Sequence, residues 1–378
     1  MTVVFNKPYS SLIEIKNIID SIKRGQISGD GYYTKLCNEW FLKKINRKTL
    51  LTHSCTAALE MSAILIDTKT DDEIIMPSYT FVSTANAFVL RGAKPVFVDI
   101  RPDTLNIDEN LIEPAITKKT KAIVPVHYSG LGCEMNLINK IAKKHNLYVI
   151  EDAAQGFGSM YNDKTLGTIG DLGTLSFHET KNIISGEGGA LIINNEKLLE
   201  RAEIIREKGT NRSKFFRGEV DKYTWIDVGS SYLPADIISA FLYAQLEFSN
   251  ELTKKRIEIW NKYNEFFSKY EKNGIIKRPF IPANCKHNAH IYYIIFNSLE
   301  ERTKFIKYLK HNDIHPVFHY IPLHNSPAGL KYCRTASNMK NTNKISDTLV
   351  RLPMYYELND EDLGNIFNVT AKFFKDNY

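Results

Sequence analysis

The sequence predicts an α/β fold in which helices sandwich a large, mostly parallel sheet, followed by a smaller C-terminal α+β domain. Runs rich in β-branched and apolar residues occur at 73–77, 95–100, 121–128, 147–152, 173–178 and 189–194. Helical patterns separate several of them, at 83–91, 108–117 and 135–145. Strands that are apolar on both faces are typical of buried parallel sheets, and their alternation with helices favours a layered α/β architecture.

The segments before residue 73 predict helices that lead into this sheet. Helix-like apolar spacing covers 11–25 and 33–46, with a glycine-containing loop between them. The stretch "LLTHSCTAALEMSAILI" then predicts a short strand, a turn of Ser, Cys and Thr, and an amphipathic helix from about 56 to 67. We therefore expect an N-terminal helical arm joined to the large domain.

The pattern changes near residue 246, where one long helix is predicted. After it come strands at "HIYYIIF" and "HPVFHY" and helices at 300–311 and 359–375. We predict a large α/β domain over 1–245 and a small α+β domain over 246–378.

Composition excludes several classes of protein. Hydrophobic residues make up 43% of the 378 and charged residues 24%, which is ordinary for a globular chain. The net charge of +6 comes from scattered lysines, so no nucleic-acid partner is expected. No run approaches the ~20 apolar residues that span a bilayer, and no signal peptide is visible, so neither a membrane partner nor secretion is expected.

Cysteine and glycine spacing narrow the chemistry further. The five cysteines have neither metal-site nor CxxC spacing, which favours reduced thiols and a cytoplasmic location. No metal constellation is visible, and no GxGxxG follows a strand, so a nicotinamide enzyme is unsupported.

Five loops are expected to converge on one crevice. Ligands of open α/β sheets bind beyond the carboxyl ends of the strands. The segments at those ends, together with the turn before the helix at 56–67, read "SYTFVSTAN", "YSGLGCEM", "DAAQG", "HETKN" and "HSCTAA".

Four features of these loops each have an ordinary structural interpretation and a functional one. "SCTAA" is a plain helix N-cap or a phosphate site made of free N–H groups. Asp152 is an N-cap or the partner of a protonated ring nitrogen, and Phe81 is core or a stacking face. Lys181 is a solvated lysine or a Schiff-base lysine. Together the four features are those that pyridoxal 5′-phosphate requires.

The same segments resemble a known enzyme family. The matching pieces are "TAALEM", "MPSYTFVSTANAF", "KPVFVDI", "VHYSG", "IEDAAQ", "SFHETKN", "GEGG" and "YIPLH". With them the chain resembles the pyridoxal-phosphate-dependent nucleotide-sugar aminotransferases of the DegT/StrS type, from about residue 30 to residue 356. The resemblance implies the fold type I architecture of pyridoxal-phosphate-dependent transferases.

The resemblance assigns cofactor roles to particular positions. It implies that Lys181 carries the cofactor and acts in catalysis, that Asp152 pairs with the pyridinium nitrogen, and that Gln155 contacts the ring-hydroxyl region. Phe81 matches the stacking aromatic. The implied phosphate contacts are Thr56, Ala57 and Ser176.

The chain departs from the family pattern at two positions. Cys55 stands where glycine often precedes the threonine of the phosphate turn. Ser231, in "GSSYLPAD", stands where an asparagine often reaches the phosphate of the neighbouring subunit.

The resemblance also implies a homodimer with active sites between subunits. Some relatives carry histidine in place of the lysine and act as dehydratases, so Lys181 favours transamination.

A subgroup of this family is similar in residues 203–225 and in "FHYIPLH". The implied reaction transfers an amine from L-glutamate to C4 of dTDP-4-dehydro-6-deoxy-D-glucose, giving dTDP-4-amino-4,6-dideoxy-D-galactose. Such products supply the O antigen of lipopolysaccharide or enterobacterial common antigen. A C4 enzyme that gives the gluco epimer, a C3 aminotransferase and a non-catalytic cofactor-binding sensor are the alternatives.

Further polar residues are candidates for binding the sugar nucleotide. For each of them a structural or solvated role is the alternative, and Glu187 in "GEGG" is expected only to brace the lysine loop. The candidates are His178, Arg212, His319, Tyr320 and His324.

Overall fold

The computed structural model describes residues 2–378. Its α-helices are α1 (Leu12–Lys23), α2 (Tyr32–Ile45), α3 (Cys55–Leu65), α4 (Val82–Val89), α5 (Ile112–Ala115), α6 (Met135–His145), α7 (Leu199–Arg206), α8 (Arg212–Phe216), α9 (Asp236–Glu247), α10 (Ser249–Lys272), α11 (Leu299–His311), α12 (Pro327–Tyr332), α13 (Lys340–Thr348) and α14 (Asp360–Asn377). Its strands are β1 (Lys48–Thr52), β2 (Glu73–Pro77), β3 (Lys94–Val98), β4 (Thr120–Ile123), β5 (Tyr148–Asp152), β6 (Met160–Tyr161), β7 (Lys164–Thr165), β8 (Leu172–Ser176), β9 (Gly189–Ile193), β10 (Cys285–Lys286), β11 (Tyr293–Ile295), β12 (Arg334–Thr335) and β13 (Leu349–Arg351).

The central feature is an eight-stranded sheet in the order β1-β9-β8-β5-β4-β2-β3-β12. The neighbours from β8 to β12 run parallel, whereas β9 is antiparallel to both β8 and β1. Every residue of β2, β8 and β9 is buried, as expected for strands that are covered on both faces. The predicted α/β fold with a mostly parallel sheet is therefore confirmed.

Hydrophobic cores lie on both sides of the sheet and in the C-terminal part. Residues from α2 and α6 pack together on one core, and residues from α3 and α4 pack on another. A third core collects aromatic residues of α10, α11 and α14, among them Tyr263, Phe305 and Phe373. The short strand β12 adds residues from the C-terminal part to the edge of the large sheet. The predicted boundary between 1–245 and 246–378 stays a prediction.

Two predictions of secondary structure need correction. The helix predicted to run on from residue 246 is interrupted, because α9 ends at Glu247 and α10 begins at Ser249. "HPVFHY" was expected to be a strand, but only Val317 pairs, in an antiparallel bridge with Arg351. Pro316 has no N–H to donate, and the residues after Val317 leave the sheet to line a cavity.

Of the helices in residues 2–378, none combines the length and apolarity needed to cross a membrane. Across the same residues, no three side chains of His, Cys, Asp or Glu are grouped in a way that suits a metal ion.

Candidate active site

A cavity of about 700 Å³ lies beyond the carboxyl ends of β5 and β8. One side of it, here called the sheet wall, is formed by residues that follow strands of the large sheet or begin its helices. The opposite side, the C-terminal wall, comes from residues beyond α10. The sheet wall comprises Thr56, Phe81, Asp152, Gln155, Ser176 and Lys181, and the C-terminal wall comprises His290, Phe318, His319, Tyr320 and Arg351.

Lys181 lies in a turn after β8, with its backbone N–H donating to His178 O (2.9 Å). Its side chain is half-buried in the cavity. No carboxylate of residues 2–378 lies within 4.0 Å of its amine, since it belongs to none of the ion pairs among them. Burial lowers the pKa of Lys181 below its usual 10.5. The amine is therefore unpaired and more readily neutral, as a nucleophile must be.

Asp152 ends β5 and is buried. Thr84 Oγ1 donates to Asp152 Oδ2 (2.7 Å), and the backbone N–H of Ala154 donates to Asp152 Oδ1 (3.1 Å). These two donors hold the carboxylate in place without neutralising its charge. A carboxylate fixed in this way can pair with a protonated ring nitrogen in the cavity.

Gln155 connects the two walls of the cavity. Its Oε1 accepts from the backbone N–H of Ser129 (2.7 Å), which fixes the orientation of the amide. Its Nε2 therefore faces the C-terminal wall and donates to the Tyr320 hydroxyl (2.8 Å). Burial raises the pKa of Tyr320, so the hydroxyl keeps its proton.

The start of α3 offers backbone donors to an anion. Ser54 caps the helix by accepting from Ala57 N–H (3.1 Å). The N–H groups of Cys55 and Thr56 have no acceptor among the described residues, as is usual in a first helical turn, and both residues line the cavity. Thr56 Oγ1 also lies 2.8 Å from Ser83 Oγ, at the start of α4. This turn suits a phosphate group.

The last glycine of "GEGG", Gly189, allows a close approach between β9 and this turn. A Cβ atom on Gly189 would lie 2.4 Å from the backbone nitrogen of Cys55. The glycine thus allows β9 to approach the N-terminus of α3 closely. Cys55 is the first residue of α3, and burial raises the pKa of its thiol to about 12.

Phe81, Ser176, His178 and Glu187 complete the sheet side of the cavity. Phe81 precedes α4, lines the cavity and is 58% exposed, so its ring is accessible to a ligand. His178 Nδ1 lies 2.9 Å from Thr180 Oγ1, and its Nε2 lies 3.7 Å from Glu187 Oε1. Glu187 therefore lies next to His178, which belongs to the loop that carries Lys181.

Histidines of the C-terminal wall are held in neutral form. His319 Nδ1 lies 2.6 Å from the Tyr128 hydroxyl, and His290 Nδ1 lies 3.0 Å from Asn182 Oδ1. Burial lowers the pKa of both imidazoles well below the usual range, and Arg351 and Lys181 add to the effect. These rings are polar without carrying charge.

Four of the predicted site residues do not line the cavity. Ala57 is buried, and its N–H is used by the Ser54 cap. Arg212 begins α8 and donates to Glu207 Oε2 (3.3 Å), while Ser231 is exposed and bridges to Glu207. His324 Nδ1 lies 2.7 Å from Ser78 Oγ. The roles predicted for these residues stay predictions, as do the roles of those in the cavity.

Sequence reasoning missed several residues that line the cavity. Thr84 lies inside the quoted segment "SYTFVSTAN", and Arg351 lies near the end of the stretch that resembles the family, but neither was distinguished from its neighbours. His290, Arg256 and the N-terminal Phe5 carried no local signal, because only tertiary packing brings them here.

Comparison with known proteins decides the family. The model of the DegT/DnrJ/EryC1/StrS aminotransferase family matches residues 11–370. The chain belongs to this family. It is 39% identical to an uncharacterized protein of Methanocaldococcus jannaschii, over 96% of this chain and 95% of that one. It is 31% identical to GDP-perosamine synthase of Escherichia coli O157:H7, over 93% and 92% of the two chains.

A solved structure gives the same result. A Streptococcus pneumoniae protein, solved in a PLP-form, aligns with a TM-score of 0.89 at 26% identity and covers 98% of this chain and 99% of its own. This DegT-family chain is thus a pyridoxal-phosphate-dependent sugar aminotransferase, acting on a sugar substrate and an amino donor. The unpaired Lys181 amine, the fixed Asp152 carboxylate and the free N–H groups of the α3 turn fit that cofactor.

Proposed function

We propose that the enzyme converts dTDP-4-dehydro-6-deoxy-D-glucose into dTDP-4-amino-4,6-dideoxy-D-galactose, with L-glutamate as amino donor. The observation that carries the proposal is the unpaired, desolvated Lys181 amine in the same cavity as Asp152. Support for the particular sugar comes from the similarity of residues 203–225 and of "FHYIPLH" to the corresponding subgroup.

The chain's own groups divide the work in this proposal. Asp152 holds positive charge on the cofactor ring, and the α3 turn together with Ser176 anchors its phosphate. Bound pyridoxal phosphate supplies an electron-withdrawing ring that stabilises negative charge on the substrate carbon. The Lys181 amine moves the proton at that carbon, first for the amino donor and then, in reverse, for C4 of the sugar. Ping-pong kinetics follow.

We also propose a homodimer. Large apolar side chains are exposed on α1, on α8 and in the segment after α8, including Leu12 (78% exposed), Phe216 (68%) and Trp225 (77%). A second copy that covers them would bring Arg212 and Ser231 towards a neighbouring cavity, where the predicted substrate and phosphate contacts would be made. Light scattering should give twice the chain mass of 43.3 kDa; a monomer would contradict the dimer.

The use of the product in the cell is inferred from its chemistry. A nucleotide-linked amino sugar is an activated donor for glycosyl transfer, so we propose that the enzyme works in the cytoplasm and supplies surface polysaccharides. The O antigen of lipopolysaccharide and enterobacterial common antigen are the expected destinations.

The deciding experiment is to supply the dTDP-keto sugar with L-glutamate and to determine the product by NMR. An axial C4 amine supports the proposal. An equatorial C4 amine supports the gluco epimer. A C3 amine formed in a parallel reaction on a dTDP-3-dehydro-6-deoxyhexose supports the C3 alternative. Because one relative is named for a GDP-linked sugar, a GDP-linked 4-keto sugar is run in parallel. A yellow protein without any amino-sugar product would support the sensor alternative.

A further inference from the structure

Two histidines of the C-terminal wall, His290 and His319, each have one ring nitrogen that is bonded within the protein and one that is not. In both rings Nδ1 has a partner, and Nε2 has none among residues 2–378. Neither Nε2 is one of the fully buried polar atoms that lack a partner, and both residues line the cavity, so both nitrogens are accessible from it. A neutral imidazole carries one proton, so the partner of Nδ1 decides whether Nε2 donates or accepts.

Tyr128 decides the tautomer of His319. Its hydroxyl lies 2.6 Å from His319 Nδ1, and burial raises the pKa of Tyr128 well above its usual 10, so the hydroxyl keeps its proton. The Tyr79 ring packs against Tyr128, but the Tyr79 hydroxyl forms no hydrogen bond with any described residue. If His319 Nδ1 carried the imidazole proton, the buried Tyr128 proton would have no acceptor, which is costly. Tyr128 therefore donates to Nδ1, and His319 presents an N–H donor at Nε2.

Asn182, the residue after Lys181, decides the tautomer of His290 in the opposite sense. Asn182 Nδ2 donates to the backbone carbonyl of Asn288 (2.8 Å), so the amide oxygen Oδ1 is the atom that faces His290 Nδ1, at 3.0 Å. A carbonyl oxygen accepts, so His290 Nδ1 carries the proton and donates it. His290 therefore keeps a lone pair at Nε2 and presents an acceptor to the cavity.

The surroundings keep both rings neutral. Burial has the largest part in lowering the pKa of each imidazole, and the charges of Lys181 and Arg351 lower it further. His290 also contributes to the low pKa of His319, so the two rings are near neighbours in the wall. Together they form a polar but uncharged patch, here called the histidine pair, beside the cationic groups of the cavity.

We propose that Tyr128 and Asn182 set opposite tautomers on His319 and His290, and that the donor and the acceptor thus presented bind ring hydroxyl groups of the sugar substrate. The inference deepens the proposed function and rests on it. A hydroxyl donates and accepts, so hydroxyls can satisfy both nitrogens. A carboxylate or a phosphate offers only acceptors and would face the lone pair of His290. The histidine pair therefore suits the uncharged ring of a nucleotide sugar.

The tautomers are measured directly by nitrogen-15 NMR of holoenzyme labelled in its histidines. Protonated and unprotonated ring nitrogens differ in chemical shift, and His290→Gln and His319→Gln assign the two rings. We expect the proton on Nε2 of His319 and on Nδ1 of His290. In Tyr128→Phe the His319 signals should move towards the average of the two tautomers. The matched control is Tyr263→Phe, which removes another buried hydroxyl, bonded to Pro353 O outside the cavity, and should leave the His319 signals unchanged.

Steady-state kinetics test the ligand. For wild type, kcat/KM for the dTDP-keto sugar should exceed that for its 2-deoxy or its 3-deoxy analogue by about 10- to 100-fold, because a missing hydroxyl leaves nitrogens of the histidine pair unpaired. Tyr128→Phe should reduce this preference by about three- to tenfold, roughly the worth of one neutral hydrogen bond, and leave KM for L-glutamate within about twofold.

The wild-type spectrum and the comparison of analogues need no variant, so they decide the matter even if Tyr128→Phe fails to fold. The same tautomer in both rings, or equal kcat/KM for the keto sugar and both analogues, would overturn the inference. The expected tautomers in an enzyme that forms no amino sugar from the dTDP-keto sugar would instead contradict the proposed function.

Discussion

The two walls of the cavity are built in different ways. On the sheet wall, Asp152 ends a strand, Ser176 ends another, and Thr56 and Phe81 lie at helix starts. The C-terminal wall depends on contacts between distant parts of the chain, such as the pairs of Tyr128 with His319 and of Gln155 with Tyr320. We infer that the sheet wall holds the groups for chemistry and that the C-terminal wall recognises substrates.

The largest effect should come from the sheet wall. Lys181→Ala is expected to reduce transamination by at least about 1,000-fold, because Lys181 is the one lysine among the described residues that line the cavity. Product formation is measured by chromatography, with the exposed Lys197→Ala as control. Activity of Lys181→Ala within tenfold of wild type would refute this role.

Asp152→Asn should have the second-largest effect on activity. The amide keeps the size of the side chain but loses the negative charge that holds a proton on the cofactor ring. We expect kcat to fall by about 100- to 1,000-fold, the range typical for loss of one electrostatic contact in an active site. Circular dichroism should show an intact fold, and a kcat close to wild type would argue against a pyridinium partner here.

A weaker effect is expected on the C-terminal wall. Tyr320→Phe removes the acceptor for Gln155 Nε2 and leaves that donor unpaired. We expect a three- to tenfold loss of kcat/KM, about the worth of one neutral hydrogen bond. Tyr332→Phe, at a half-exposed site on α12, is the control. A loss as large as that of Asp152→Asn would erase the contrast between the walls.

The smallest expected effect is the dependence on pH of the stability cost of Lys181. The pKa of Lys181 is lower in the folded chain than its unfolded value of 10.5, so the unfolded chain binds more protons just below pH 10.5. The lysine therefore costs stability at neutral pH, and this cost disappears as pH rises to 10.5. Cofactor-free Lys181→Met should melt above wild type at pH 7, by a margin that narrows towards pH 10.5. A constant margin would contradict the low pKa.

The same contrast explains what could be read from the sequence. The six strands predicted between residues 73 and 194 are mostly apolar on both faces, so their pattern and the loops after them identified Lys181, Asp152 and Phe81. Arg351 and His290 follow no such rule, since their position depends on how the C-terminal part packs against the sheet. "HPVFHY" illustrates the limit, because its apolar pattern predicts a strand where the structure has a cavity wall.

The assignment of Lys181 as the residue that carries the cofactor is tested by trapping the cofactor on the protein. Borohydride reduces the C=N bond between a lysine and pyridoxal phosphate, and peptide mass spectrometry then locates the label. We expect one labelled peptide, carrying the cofactor on Lys181, and no label in Lys181→Ala. Label on another lysine, or a wild-type Lys181 that stays unmodified in yellow holoenzyme, would contradict it.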